Sequence, residues 1–185
     1  KRRERGLRFV PEERLGRGAV PNMSLSANLL LTRDEAVGRW GWVRTHELAR
    51  QAAGLITRYG VKASGPSALA RSLSGGNLQK FIMGREIETR PKLLIVSQPT
   101  WGVDVGAAAQ IRAELLALRD AGCGVLVVSE ELDELFALSD CLYVMAKGRM
   151  SPPLARDEAT VSEVGEWMSG LWPATTGFGG LHAQA

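Results

Sequence analysis

Three short apolar runs in the second half of the chain constrain its fold more than any other feature. They span residues 93–96, 125–128 and 142–145. None of them alternates apolar with polar residues, and such uninterrupted runs are typical of strands buried on both faces of a parallel sheet. Helical patterns separate the runs, at residues 106–120 and 131–138. The resulting β-α-β-α-β order predicts an α/β fold in which all three runs are strands.

The first half of the chain is predicted to be mainly helical. Residues 7–10 form a short strand that Pro11 ends, because proline has no backbone N–H to donate. Three segments with apolar residues at helical spacing follow, and a fourth lies near the C-terminus. The predicted helices run from a Ser24 or Ser26 cap to Leu31, from a Thr45 cap to Tyr59, from the residues after Ser74 to about Glu88, and from a Thr160 cap to Met168.

The composition fits one soluble domain. With 45% hydrophobic and 23% charged residues, the 185-residue chain is long enough to bury a sizeable core. No apolar run approaches the roughly 18 residues of a membrane-spanning helix. The net charge of +3 is concentrated at the N-terminal end, which favours a solvated segment over a nucleic-acid-binding face. Cys123 and Cys141 lack metal-ligand spacing, so a reduced cytosolic protein without a metal site is expected.

A serine and two adjacent glycines precede the third helix, in the sequence LSGGNLQK at residues 73–80. Glycine has no Cβ, so the backbone at Gly75 and Gly76 can approach a bound anion closely. The helix that follows would place the partial positive charge of its N-terminus at the same point. The tripeptide alone also suits an ordinary helix-start turn. Its place ahead of a buried strand and a second turn favours an anion-binding loop.

Four segments resemble the motifs of ATP-binding-cassette (ABC) ATPases. LSGGNLQK is similar to the signature loop, and PKLLIVSQPTWGVDVGA at residues 91–107 is similar to the Walker B strand and D-loop. VLVVSEELDELFALSDCLYVMAKGRM at residues 125–150 resembles the switch strand and the last core strand, and RFVPEERLGRG at residues 8–18 resembles the Q-loop. The resemblance covers about residues 7–170. It is closest to the second ATPase half of tandem importer subunits for simple sugars and nucleosides.

This resemblance implies part of a P-loop NTPase core sheet with a helical sub-domain. The phosphate-binding Walker A pattern, G-x-x-x-x-G-K-[ST], is absent from the sequence. The chain is therefore expected to be the C-terminal part of a second nucleotide-binding domain, with an incomplete sheet beside the strand that ends at Val128. Five parts are predicted: 1–23 (basic end, first strand and Q-loop region), 24–90 (helical sub-domain ending in the signature loop and its helix), 91–150 (Walker B, D-loop and switch part of the sheet), 151–172 (C-terminal helix region) and 173–185 (loose tail).

The positions that would serve this domain's own ATP depart from the family pattern. Ser97 and Gln98 stand where the Walker B Asp and the catalytic Glu are expected. Glu130 replaces the switch histidine, and Glu12 replaces the Q-loop glutamine. A serine hydroxyl cannot neutralise Mg²⁺, and the loss of a general base usually costs about 10²–10⁴-fold in rate. No intact catalytic residue is assigned; Gln98 also suits a polar strand end or residual water binding, and Glu130 a solvated or capping carboxylate.

The signature loop and the D-loop are retained, in contrast. ABC ATPases dimerise head to tail, so the signature loop of one half contacts the nucleotide held by the other. The resemblance assigns five residues to ATP binding in trans: Ser74, Gly75, Gly76, Asn77 and Gln79. Asp104, at the D-loop position, is expected both to cap the next helix and to face the partner half. Trp101 stands where a basic residue is expected, as either an interface residue or a packed aromatic.

The predicted function is that of an ATP-binding subunit of an importer for simple sugars or nucleosides, peripheral on the cytoplasmic face of the membrane. The complete subunit would use ATP and Mg²⁺, whereas the isolated chain is expected to be poorly stable, to bind ATP weakly or not at all, and to be inactive. The expected partners are the other ATPase half, membrane permease subunits and, indirectly, a solute-binding protein, but no nucleic acid. The alternatives are a non-catalytic docking or regulatory ABC-fold module, a decayed gene product, or a soluble ABC protein of translation or DNA repair.

Overall fold

The structure is a computed structural model that describes residues 2–33, 38–39 and 42–173. The chain divides between Glu130 and Glu131 into two compact units. The predicted tail at 173–185 lies outside the described residues from position 174 onward. Among the described residues, no helix is long and apolar enough to cross a membrane.

In its described residues, the first unit combines a parallel sheet with four α-helices. Short 3-10 helices at Arg3–Arg5 and Ala70–Ser72 accompany these elements. In chain order the elements are β1 (Leu7–Val10), α1 (Leu25–Leu30), β2 (Gly38–Arg39), β3 (Trp42–Val43), α2 (Thr45–Arg58), α3 (Gly75–Ile87), β4 (Leu93–Ser97), α4 (Val105–Asp120) and β5 (Gly124–Val128). The predicted α/β fold class is confirmed, and so are the strands predicted at 7–10, 93–96 and 125–128.

The sheet has the strand order β1-β4-β5, and both pairs are parallel. Phe9 pairs with Ile95, which in turn pairs with Leu126. This row lies on a face that stays open to solvent: Phe9 is 46% exposed and Leu126 is 51% exposed. The neighbouring row, from Val10 to Val96, is fully buried, on the side where α3 contacts β1.

Only one face of the parallel sheet is therefore covered by described residues, although parallel sheets are normally covered on both. Strand β5 is an edge of this sheet, because no described strand pairs with its outer side. Val128, at the end of that edge, is 51% exposed. The incomplete sheet expected from the sequence stays a prediction, because an open sheet of any size has edge strands.

The helices of the first unit begin largely where their capping residues predict. The Ser24 hydroxyl accepts a hydrogen bond from the N–H of Ala27 at 3.1 Å, so Ser24 rather than Ser26 caps α1. Helix α2 buries the predicted apolar face, including Leu48, Leu55 and Tyr59. The predicted Thr45 cap is wrong: Thr45 is the first helical residue, and the N-cap position is held by Arg44 without a side-chain cap bond.

A buried charge cluster lies between α3 and the N-terminal segment. The Glu86 carboxylate is fully buried and accepts from Arg85 Nε at 2.9 Å and from Arg3 Nη1 at 3.3 Å. Arg8 Nε lies 4.0 Å from the same carboxylate. Arg85 also donates to the carbonyl oxygens of Gly18 and Asn28, at 2.8 and 3.3 Å. The Glu86 carboxylate therefore contacts two buried arginines and one half-exposed arginine.

The second unit has its own small core. It comprises α5 (Leu132–Leu138), β6 (Cys141–Leu142), β7 (Met145–Ala146), β8 (Arg149–Met150), β9 (Leu154–Ala155) and α6 (Val161–Met168). Leu142, Val144, Val164 and Trp167 form the buried cluster. Helix α6 begins as predicted, because the Thr160 hydroxyl accepts from the N–H of Glu163 at 3.2 Å.

The run at 142–145 is predicted from the sequence as one strand, and this prediction is wrong. Its ends belong to two-residue antiparallel ladders instead, β6 with β9 and β7 with β8. Leu142 and Val144 are buried, whereas Tyr143 and Met145 are 54% and 77% exposed. The run therefore alternates between core and solvent, as one-sided antiparallel ladders do. The large apolar side chains at the two exposed positions hid this alternation in the sequence.

Candidate functional site

The loop at residues 74–77 forms the exposed N-terminus of α3. Ser74 is its N-cap: the hydroxyl oxygen accepts from the backbone N–H of Asn77 at 3.4 Å and from Asn77 Nδ2 at 2.8 Å. Asn77 Oδ1 in turn accepts from the backbone N–H of Lys62 at 2.8 Å. The first N–H groups of any helix lack intrahelical acceptors and carry partial positive charge. This arrangement of exposed donors suits a phosphate group.

The two glycines of the loop are needed because other segments approach them closely. A Cβ on Gly76 would lie 2.9 Å from the carbonyl oxygen of Gly102. A Cβ on Gly75 would lie 2.8 Å from Nη1 of Arg14. The backbone neighbour of Gly76 cannot move aside as readily as a flexible side chain does. Gly76 is therefore the more demanding of the two positions.

Gln79 faces inward, unlike the rest of the predicted nucleotide-binding set. It is 1% exposed. Its Nε2 donates to the carbonyl oxygen of Pro99 at 3.0 Å, and at 3.4 Å to that of Gln98. Its Oε1 accepts from Nε of Arg14 at 3.1 Å. These bonds tie α3 to the segment that leaves β4.

Asp104 caps α4, as the sequence suggested. Its Oδ1 accepts from the N–H of Ala107 at 2.9 Å, and its Oδ2 lies 3.0 Å from Nζ of Lys80. The hydrogen bond from Ala107 and then the one from Lys80 hold the pKa of the Asp104 carboxyl below its ordinary value. The side chain remains 68% exposed, so a charged carboxylate lies on the surface beside the helix that carries the signature loop.

Ser97 and Gln98 lie at the carboxyl end of β4, where ligands bind in open α/β sheets. The N–H of Gln98 donates to the carbonyl oxygen of Val128 at 2.8 Å, and its Oε1 accepts from the hydroxyl of Ser129 at 3.3 Å. Gln98 has a φ of +50°, in the left-handed region. Non-glycine residues in this region are enriched at functional sites. Here the strained residue carries a neutral amide.

A cavity of about 470 Å³ opens at this end of the sheet. Glu12, Ser97 and Trp101 are among its lining residues. Glu130 is exposed and does not line it. The structure thus brings Glu12 and Ser97 together, but it does not bring Glu130 to them. Glu13 also lines the cavity, and its carboxylate pairs with Arg17 Nε at 3.0 Å.

Sequence reasoning singled out Trp101 but missed Arg14, which contacts it. The guanidinium of Arg14 donates to the carbonyl oxygen of Trp101 and lies 5.6 Å from the centroid of its ring. Trp101 is nevertheless 58% exposed. Arg14 is one of several charged residues in a loop without periodicity, so no sequence signal distinguished it from its neighbours.

No protein-family model matches the chain. The guanosine import ATP-binding protein NupO of Bacillus subtilis is 39% identical to it over 169 residues, which are 90% of this chain and 33% of that protein. The ribose import ATP-binding protein RbsA of Halalkalibacterium halodurans is 35% identical over 165 residues, 89% of this chain and 33% of that protein. The chain therefore spans about a third of the length of these curated relatives.

Solved structures show the same fold. One is an ATP-binding cassette in a dimeric, post-hydrolysis state bound to ADP and Pi. It superposes with a TM-score of 0.66 at 18% sequence identity, and the match covers 83% of this chain and 64% of that one. At this identity the likeness concerns the fold alone. The nucleotide and the dimer belong to the neighbour.

Proposed function

Since the chain belongs to the family of ABC ATPases, we propose that it is a segment of the ATP-binding subunit of an importer for simple sugars or nucleosides. The relatives named for guanosine and ribose import support this class of solute. The subunit would act at the cytoplasmic face of a membrane, with permease subunits and a solute-binding protein as its partners. The chain covers a third of its relatives, so the other ATPase half would be supplied by the rest of the protein.

The proposed role of this segment is to contribute its signature loop to ATP held by the other half. The observation that carries the proposal is the exposed N-terminus of α3, where Ser74 caps the helix and Gly75 and Gly76 admit close approach. Asn77 is anchored by its bonds to Ser74 and Lys62, so the loop is preorganised. Preorganised donors stabilise the charge that develops on a phosphoryl group during transfer.

The five residues assigned to ATP binding in trans have two kinds of role in this proposal, because Asn77 and Gln79 differ from the other three. Ser74, Gly75 and Gly76 offer the exposed donors, whereas Asn77 offers a half-buried amide. Gln79 supports the loop from the protein interior through its bonds to Pro99 and Arg14. Asp104, exposed at the start of α4, faces the partner half at the same surface.

The segment's own site is proposed to be non-hydrolytic. The end of β4 carries a hydroxyl at Ser97 and an amide at Gln98, and neither supplies a metal-binding carboxylate or a base. Bound ATP with Mg²⁺ would supply the transferable phosphoryl group and its charge neutralisation at the partner's site. The residues of this chain then bind and orient the phosphate across the interface.

ATP hydrolysis by the complete subunit tests this assignment. Ser74→Ala or Gly76→Ala is expected to abolish turnover, whereas Gln98→Ala is expected to leave it nearly unchanged. The opposite pattern would assign hydrolysis to this segment's own site. If all three variants keep wild-type turnover, the alternative of a non-catalytic docking module is favoured.

A further inference from the structure

Arg14 joins three segments that are distant in the sequence. It lies in the loop between β1 and α1, and its Nε donates to Oε1 of Gln79 at 3.1 Å. A terminal nitrogen of the same guanidinium donates to the carbonyl oxygen of Trp101. The guanidinium also lies 5.6 Å from the Trp101 ring centroid, within the range of a cation–π contact. One side chain thus bonds α3 to the segment between β4 and α4.

The partner of Arg14 on α3 is held in one orientation. Gln79 donates from Nε2 to the carbonyl oxygen of Pro99 at 3.0 Å, so its Oε1 must face the other way. That oxygen accepts the hydrogen bond from Arg14. Gln79 is 1% exposed, and its bond to Pro99 is buried, whereas its bond from Arg14 is part-buried. The buried Gln79 amide therefore connects α3 to both other segments.

The backbone of Arg14 is fixed as well. Its carbonyl oxygen accepts from the N–H of Ala19 at 2.7 Å. A Cβ on Gly18 would lie 2.8 Å from that same oxygen, so the loop folds tightly against it. Arg14 is consequently held in two places: its backbone by the loop, and its guanidinium by the acceptors on Gln79 and Trp101.

The guanidinium lies directly against the two glycine-containing segments of the site. A Cβ on Gly75 would lie 2.8 Å from Nη1, and a Cβ on Gly102 would lie 3.4 Å from both terminal nitrogens. A Cβ on Gly76 would lie 2.9 Å from the carbonyl oxygen of Gly102. The distance between the signature loop and residues 101–104 therefore depends on where the Arg14 side chain lies.

We propose that Arg14, with Trp101 and Gln79, is a positioning residue that holds the Gly75 and Gly76 N–H groups in place for the partner's nucleotide. This inference rests on the proposed function, because it assumes that residues 74–77 meet ATP in trans. The inference adds a link between two sites. Arg14 lies in the loop after β1, beside this segment's own ATP site, and it would set the geometry of the loop at 74–77, which is contributed to the other half's ATP.

The test compares arginine variants in the complete subunit. Arg14→Met removes all the hydrogen bonds, and Arg14→Lys keeps the charge but cannot reach Gln79 and Trp101 together. We expect kcat, expressed per mole of bound ATP, to fall about ten- to hundredfold for Arg14→Met and by less for Arg14→Lys. Normalising to bound ATP removes any unfolded fraction from the comparison. Arg17→Met is the matched control, because Arg17 lies in the same loop, is 77% exposed and pairs with Glu13. This variant should hydrolyse ATP at the wild-type rate.

A second variant keeps the inference testable if Arg14→Met does not fold. Trp101→Leu removes the stacked ring at an exposed position and leaves every backbone acceptor in place, so we expect a loss of about two- to tenfold. Wild-type turnover in Arg14→Lys and Trp101→Leu would overturn the positioning role. Full activity in Ser74→Ala would instead overturn the proposed function, so the two failures are distinguishable.

Discussion

Replacing Glu86 by glutamine should destabilise the chain strongly. The carboxylate is fully buried and lies within 4.0 Å of side-chain nitrogens of Arg3, Arg8 and Arg85. Arg8 and Arg85 are themselves 4% and 2% exposed, so neither can turn to solvent when the charge is removed. Removal of one partner of a buried pair typically costs about 3–5 kcal/mol.

The expected cost of Glu86→Gln lies near the lower end of that range, at about 3 kcal/mol. The amide oxygen can still accept one bond from Arg85, and the Arg3 side chain is 41% exposed, so its pairing contributes little. For a chain of this size, each kcal/mol shifts Tm by about 2–4 °C, so the predicted fall is roughly 6–12 °C.

Thermal unfolding followed by far-UV circular dichroism measures this difference. Glu114→Gln is the control, because its pair with Arg58 at 3.3 Å lies at the surface, where the arginine is 57% exposed. Surface pairs contribute about 0–1 kcal/mol, so the control should shift Tm by only a few degrees at most. A Glu86→Gln shift as small as that of the control would refute the account of the charge cluster.

Three further outcomes are expected. Gly84→Ala should lower the free energy of unfolding by about 1–3 kcal/mol in urea titrations, because its Cβ would lie 2.5 Å from two ring carbons of buried Tyr59; an unchanged midpoint would contradict this. Tyr59→Phe should raise it by about 1 kcal/mol in the same assay, since the buried hydroxyl has no hydrogen-bond partner among the described residues, and a destabilised variant would show that the hydroxyl is satisfied. Asp104 has a lowered pKa, so its stabilising effect is complete above the unfolded-state pKa and is lost as the pH falls through the folded-state pKa. Carboxyl ¹³C NMR should place its titration below that of an ordinary aspartate, and Lys80→Met should move the midpoint upward; an ordinary midpoint in the wild type would count against the cap.

Elements governed by local chemistry were predictable from the sequence. Strand β4 is an apolar run, and α4 and α6 begin at the capping residues Asp104 and Thr160, as the pattern indicated. Thr45 failed as a cap because its neighbour Arg44 takes the N-cap conformation without a side-chain bond. The likelihood of a cap is a local preference that the surrounding chain can override.

Features that depend on distant contacts were not predictable in this way. The spacing of LSGGNLQK places Gln79 beside the loop residues, but its burial depends on Pro99 and Arg14, which lie 20 and 65 positions away. The resemblance located the loop at 74–77, and the structure adds the contacts of Arg14 with Gln79 and Trp101. The same limit applies to the run at 142–145, whose partners in antiparallel ladders lie downstream.

Photocrosslinking with an ATP analogue that carries its reactive group on the γ-phosphate can show whether residues 74–77 meet a nucleotide held by the other half. Trypsin releases the signature loop as residues 72–80 and the end of β4 as residues 93–112, so mass spectrometry separates the two sites. The account predicts that the label appears on residues 72–80 of the complete subunit and disappears when the phosphate-binding lysine of the other half is replaced. Label confined to residues 93–112, and unaffected by that replacement, would show that the nucleotide is held at this segment's own site and would contradict the account.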